Sequence, residues 1–122
     1  MSLKEKLRQG NTRRFKTVNV PLWGEVRIRS LTHAEMRVLR NSLSDSSGEP
    51  IKARVERISE LLAVECIVDE KGNPDFTEAE AMSGLFDELD GGAARFLFRE
   101  ISEHTGFLAD KDWQAVEEAA KN

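Results

Sequence analysis

Between Thr17 and Arg29 the chain alternates with a period of two. Val18, Val20 and Leu22 are set against Thr17, Asn19 and Pro21, then Val26 and Ile28 against Glu25, Arg27 and Arg29. With Trp23-Gly24 separating the two runs, the pattern predicts a β-hairpin over 17–30. Pro21 has no N–H to give a ladder, so its strand is expected at a sheet edge. From Leu31 onward the period changes to that of a helix. Thr32 and Glu35 have the spacing of a capping box, with Leu31 and Met36 placed as a hydrophobic staple. Met36, Leu39 and Leu43 continue at helical spacing and predict a helix over 32–43. Ile51, Val55, Ile58 and Leu62, widened by Leu61, Val64 and Val68, form the broad stripe of a packed helix over 51–68. Pro50 suits its first turn. Thr77 and Glu80 repeat the capping box, and Met82, Leu85, Phe86 and Leu89 predict a helix over 77–89. "DGG" (90–92) leads into a helix over 92–105 that Gly106 closes. Trp113 and Val116 lie in a last short helix over 111–121.

These elements amount to a mainly α (α+β) domain, an N-terminal hairpin followed by four to five short helices. The single domain is expected over 17–122, with residues 1–16 as a flexible basic arm. A length of 122 residues suits one core. No apolar run approaches the roughly 18–20 residues that span a bilayer. The start, "MSLKEKLRQG", lacks the apolar segment of a secretory signal. Cys66 has no second cysteine to pair with, which fits a reducing compartment. The expected location is the cytoplasm.

Charge changes this picture. The net charge of −4 averages two unlike halves, +7 up to residue 57 and −11 beyond it. Such a split suits either an acidic partner for the basic half or head-to-tail contact between copies, for which Arg27, Arg29, Arg37 and Arg40 against Asp87 and Glu88 are the candidate self-association residues. The arm carries Lys4, Lys6, Arg8, Arg13, Arg14 and Lys16 against Glu5 alone. Its density of cations also admits a small nucleic-acid-binding regulator as an alternative. The acidic remainder, and the lack of a recognition-helix pattern after Arg37 and Arg40, argue against it.

Catalytic chemistry has few carriers. There are two His, one Cys and no Tyr, and no zinc or phosphate-loop motif. His33 opens a helix as a solvated residue, and His104 suits the C-terminal end of a helix dipole. Cys66 reads as a small core residue. Asp69, Lys71, Asn73, Asp75, Thr77 and Glu80 fall at calcium-loop spacing, but a cation stands at the third position and Pro74 where glycine is required. The expectation is no enzyme, no metal and no cofactor. What remains is apolar surplus. Phe96, Leu97 and Phe98 follow one another on a helix, where successive side chains point about 100° apart, and a domain this small strains to bury all three. Phe96, Phe98 and the hairpin's Trp23 are the candidate partner-binding residues.

The order of signals resembles a known family. "VNVPLWGEVRIRSLTHAE" (18–35), then "VDEKGNPDFTEAE" (68–80), then "HTGFLADKDWQAVEEAAKN" (104–122) is similar to the tail assembly chaperones of long-tailed bacteriophages. The resemblance implies a non-enzyme that binds the long, aggregation-prone tape measure protein, keeps it soluble and promotes tail-tube assembly around it. It also implies spiral self-association and absence from the finished virion. A frameshift-extended form near the "EEAAKN" end, recruiting the tail-tube protein, is a further implication. No site residue is carried over from the family, and residues 1–14 lie outside its pattern.

Overall fold

The computed structural model describes residues 2–10 and 13–107. Among the described residues a hairpin and a short third strand form one sheet, accompanied by six helices. They are α1 (Leu3–Arg8), β1 (Phe15–Val20), β2 (Gly24–Arg29), α2 (His33–Asn41), α3 (Lys52–Glu56), α4 (Ile58–Cys66), β3 (Ile67–Val68), α5 (Glu78–Met82) and α6 (Gly91–Thr105). The fold is mainly α with an N-terminal β-hairpin, in a single small domain. The expected helix over 111–121 lies outside the described residues.

β1 and β2 pair antiparallel, with Val18 opposite Val26 and Val20 opposite Gly24. The turn is tight because Pro21 supplies its fixed φ and Trp23 N–H donates to the Val20 carbonyl at 3.1 Å. Pro21 thus sits in the turn and not in the strand, and β1 is an edge strand for another reason, its place in the order β1-β2-β3. The sheet's inner face buries Val18, Val20, Ile28 and Ile67. Against it lies α4, whose Leu61, Leu62, Ala63, Val64 and Cys66 are all buried. A helix apolar on nearly every side is a core helix, and α4 is the centre of this domain. α6 closes the core with Ala93, Leu97 and Ile101.

Three predicted elements take a different form. The helix expected over 51–68 is two helices, because Arg57 leaves the helical region at φ −108°, ψ 23°. Its guanidinium is drawn to both carboxylate oxygens of Asp87, at 3.2 Å each. Its last two residues are not helical either. Ile67 and Val68 are β-branched and pair with Ile28 and Arg27, adding the third strand. The helix expected over 77–89 ends at Met82, since Gly84 turns the chain at φ +91°. Met82, Leu85 and Phe86 reach the core from successive turns, so helical spacing here did not mean a helix.

The arm is shorter than expected. Residues 13–16 belong to the fold: Arg13 donates to both Glu35 oxygens at 2.7 and 2.6 Å, and Arg14 Nη2 donates to the His104 carbonyl at 2.7 Å. Lys16 pairs with Glu100 at 3.1 Å. Only α1 stands apart, with Ser2 as its N-cap and no buried residue.

Two loops share one design. "DSSGEP" (45–50) and "DEKGNP" (69–74) each fold back through a bridge, Ser44 to Pro50 and Val68 to Pro74. In each the leading Asp carboxylate accepts from backbone N–H groups two and four residues on. A glycine at φ +86° or +87° makes the reversal in both. Loop 69–74 reaches back to the sheet, where a Cβ on Gly72 would stand 3.4 Å from the Phe15 ring.

Candidate partner-binding cleft

β3 is only two residues long, so the turn end of β2 has no strand on the side away from β1. An apolar cleft of about 320 Å³ opens there. Val26, Ile67, Phe86 and Leu97 form its floor, and Trp23, Phe76 and Leu89 its walls. Phe76 stands edge-on to Phe86 at 6.3 Å between centroids, and Phe86 edge-on to Phe98 at 5.3 Å. Edge-to-face pairs at these separations are a favourable arrangement of aromatic rings. Glu25 and Asp75 stand at the rim. A shallow depression beside them adds Asp69 and Glu70.

The hairpin tip at one end of the cleft is strained and apolar. Leu22 has φ +72°, a region that residues other than Gly, Asn and Asp seldom enter, and the residue is 80% exposed. Leu89 at the cleft's wall is 41% exposed. Trp23 is half-buried and rests on the core.

Of the three aromatics marked in the sequence, only Trp23 lines this cleft. Phe98 lies on the other side of Phe86, where it borders a groove between α4 and α6 with Ser59, Arg95 and Arg99. Phe96 is half-buried on another flank of α6, with Arg99 5.4 Å above its ring. The buried stripe through Leu97 separates the two, so they form no common patch. Phe76, Phe86 and Leu89 were not marked as binding residues. Phe76 carried a signal, an aromatic just before a capping box, which is the staple position.

The charged residues assigned to self-association divide similarly. Arg29 is buried, donating from Nε to the Glu65 carbonyl at 2.8 Å, so it has no surface to offer a second copy. Arg27 donates to the Glu70 carbonyl at 2.8 Å and lies 4.6 Å over the Phe15 ring. Arg40 lies 5.9 Å over Phe107, and Asp87 holds Arg57. Arg37 and Glu88 are exposed. Much of the charge split is therefore engaged within the chain. A halved sequence cannot show this, because Arg57–Asp87 and Lys16–Glu100 join residues from opposite halves.

Burial pushes the Cys66 thiol up to about 12, so it stays protonated inside the core. Among the described residues no group of three or more His, Cys, Asp or Glu is placed to hold a metal ion, and no helix is long and apolar enough to cross a membrane. No family model, curated protein or solved structure matches the chain.

Proposed function

We propose that the chain is a non-catalytic assembly chaperone of a long-tailed phage. It works in the host cytoplasm, is left out of the virion, and keeps the tape measure protein soluble while tail-tube subunits assemble around it. A tail-tube contact through a frameshift-extended form, and self-association into an open spiral, belong to the same reading. The observation that carries it is the open apolar cleft with the strained Leu22–Trp23 tip at its end. Apolar side chains of a helical client are what such a surface accommodates. Strain at an exposed tip is retained where a surface is used. The nucleic-acid alternative draws less support, since Arg13, Arg14 and Lys16 are bonded to Glu35, His104 and Glu100.

Co-expression with a tape measure protein tests the reading. Leu22→Asn relieves the left-handed strain and should raise stability by about 0.5–1 kcal/mol, while reducing the soluble client fraction. Trp23→Ser should reduce that fraction several-fold with the fold intact by circular dichroism. Unchanged solubilisation by both variants rules the cleft out as the client surface.

A further inference from the structure

The cleft has a candidate occupant within the protein itself. α1 exposes Leu3 and Leu7 by 70% and 68%, one turn apart on one face. At about 100° per residue, Lys4 and Arg8 flank that stripe on one side, Lys6 flanks it on the other, and Glu5 points away. A lone helix of six residues is far below the ~12–15 that hold themselves in water, so its apolar face calls for a cover. The cleft supplies the complement: an apolar trough whose rim carries Glu25 and Asp75, with Asp69 and Glu70 adjoining. Two cations share that rim. Arg27 is held by the Phe15 ring and the Glu70 carbonyl, which leaves Lys71 and four carboxylates.

We propose that α1 of a second copy docks its Leu3–Leu7 face in this cleft, with Lys4, Lys6 and Arg8 meeting the acidic rim. A second copy supplies the arm because the chain's own α1 does not occupy the cleft: Leu3 and Leu7 stay exposed, and neither lines it. Arg13 and Arg14, fastened to Glu35, Ser30 and His104, hold the root of the arm at the end of β1 away from the turn. The arm of one copy in the cleft of the next is a heterologous contact, which builds open chains of copies instead of closed dimers. The inference rests on reading the cleft as the client site. α1 then covers the cleft when no client is present, and a client's helix displaces it.

Sedimentation velocity on the full chain tests the contact. The unmodified protein should form concentration-dependent oligomers that weaken about 10-fold or more in dissociation constant when salt is raised from low to near-molar. Leu3→Asp with Leu7→Asp changes only exposed residues and should give monomers. Leu89→Asp in the cleft wall should do the same. Mixed one to one, the arm variant and the cleft variant each keep one half of the contact, so they should pair and stop at two copies. Monomers throughout the mixture, or an arm variant that assembles like the unmodified chain, overturn the proposal. So does an unmodified protein that is monomeric at every concentration. If Leu89→Asp unfolds, Glu25→Lys with Asp75→Lys serves as the cleft variant. The arm variant should still solubilise a co-expressed tape measure protein. If no version solubilises it while the mixed pair forms, the chaperone reading falls and the arm-and-cleft contact stands.

Discussion

"THAE" (32–35) and "TEAE" (77–80) are the same device used twice. In each, threonine Oγ1 accepts the N–H of the glutamate at 3.2 Å, and the glutamate returns to accept the threonine N–H, at 2.8 Å in one and 2.9 Å in the other. The local chemistry is equal, but the outcomes are not. The first box opens the nine-residue α2, with Leu31 buried before it and Met36 packed on the core after it. Its Glu35 also receives both guanidinium nitrogens of Arg13, which pins the start of β1 to α2. The second box opens a helix of five residues that Gly84 ends, and its Glu80 is exposed. A cap satisfies the orphan N–H groups of a helix start and no more. What the capped helix then supports depends on what packs around it.

The comparison is sharpest at the two glutamates. Glu35→Gln keeps a capping side chain but loses the charged bidentate partner of Arg13, and should lower stability by about 1–2 kcal/mol in urea unfolding. Glu80→Gln should change it by less than about 0.5 kcal/mol. Adding Arg13→Ala to Glu35→Gln should cost less than the two changes summed, since they share the Arg13–Glu35 contact and only the Arg13 bond to the Ser30 carbonyl is lost in addition. Equal costs at Glu35 and Glu80 would remove the distinction between the boxes.

Acid should loosen the first box. The hydrogen bonds from Arg13, ahead of that from the Thr32 N–H, hold the Glu35 carboxyl at about 2, against burial acting the other way. Its ordinary value is 4.5. A carboxyl lowered by folding stabilises the folded state at and above its ordinary value. That contribution fades as pH falls from about 4.5 toward 2. Glu35→Gln should flatten this part of the profile of stability against pH, and an unchanged profile would mean Arg13 does not hold the carboxylate in solution. The smallest difference is expected at the hydroxyls. Thr32→Ala should cost about 1–2 kcal/mol and Thr77→Ala about 0.5–1, read from the same unfolding curves.

The hairpin, both boxes, the buried stripe of α4 and the glycine stop of α6 were legible because each rests on neighbours in sequence. Gly106 does take the left-handed cap, at φ +75°. Apart from the helix that Gly84 cuts short, the misreadings fall where a distant partner decided the matter. Arg57 breaks a helix where it meets Asp87, thirty residues on. Ile67 and Val68 leave a helical stripe because β2 offered an edge. Arg13 was read as part of a mobile arm, because nothing near it in sequence announces Glu35. At the candidate site only Trp23 was marked in advance, since Phe76, Phe86 and Leu89 look like ordinary core residues until the short β3 leaves a gap beside them.

Periodicity, caps and turn residues by themselves determined the hairpin, the starts of α2, α5 and α6, and the glycine that ends α6. Those features are set by backbone hydrogen bonds spanning three or four residues. The tertiary structure alone decided which charges are engaged within the chain, which aromatics share a surface, and that an apolar cleft and an uncovered apolar helix coexist in one molecule. These follow from distances between segments far apart in sequence, fixed only once α4 is buried and the other elements have closed around it.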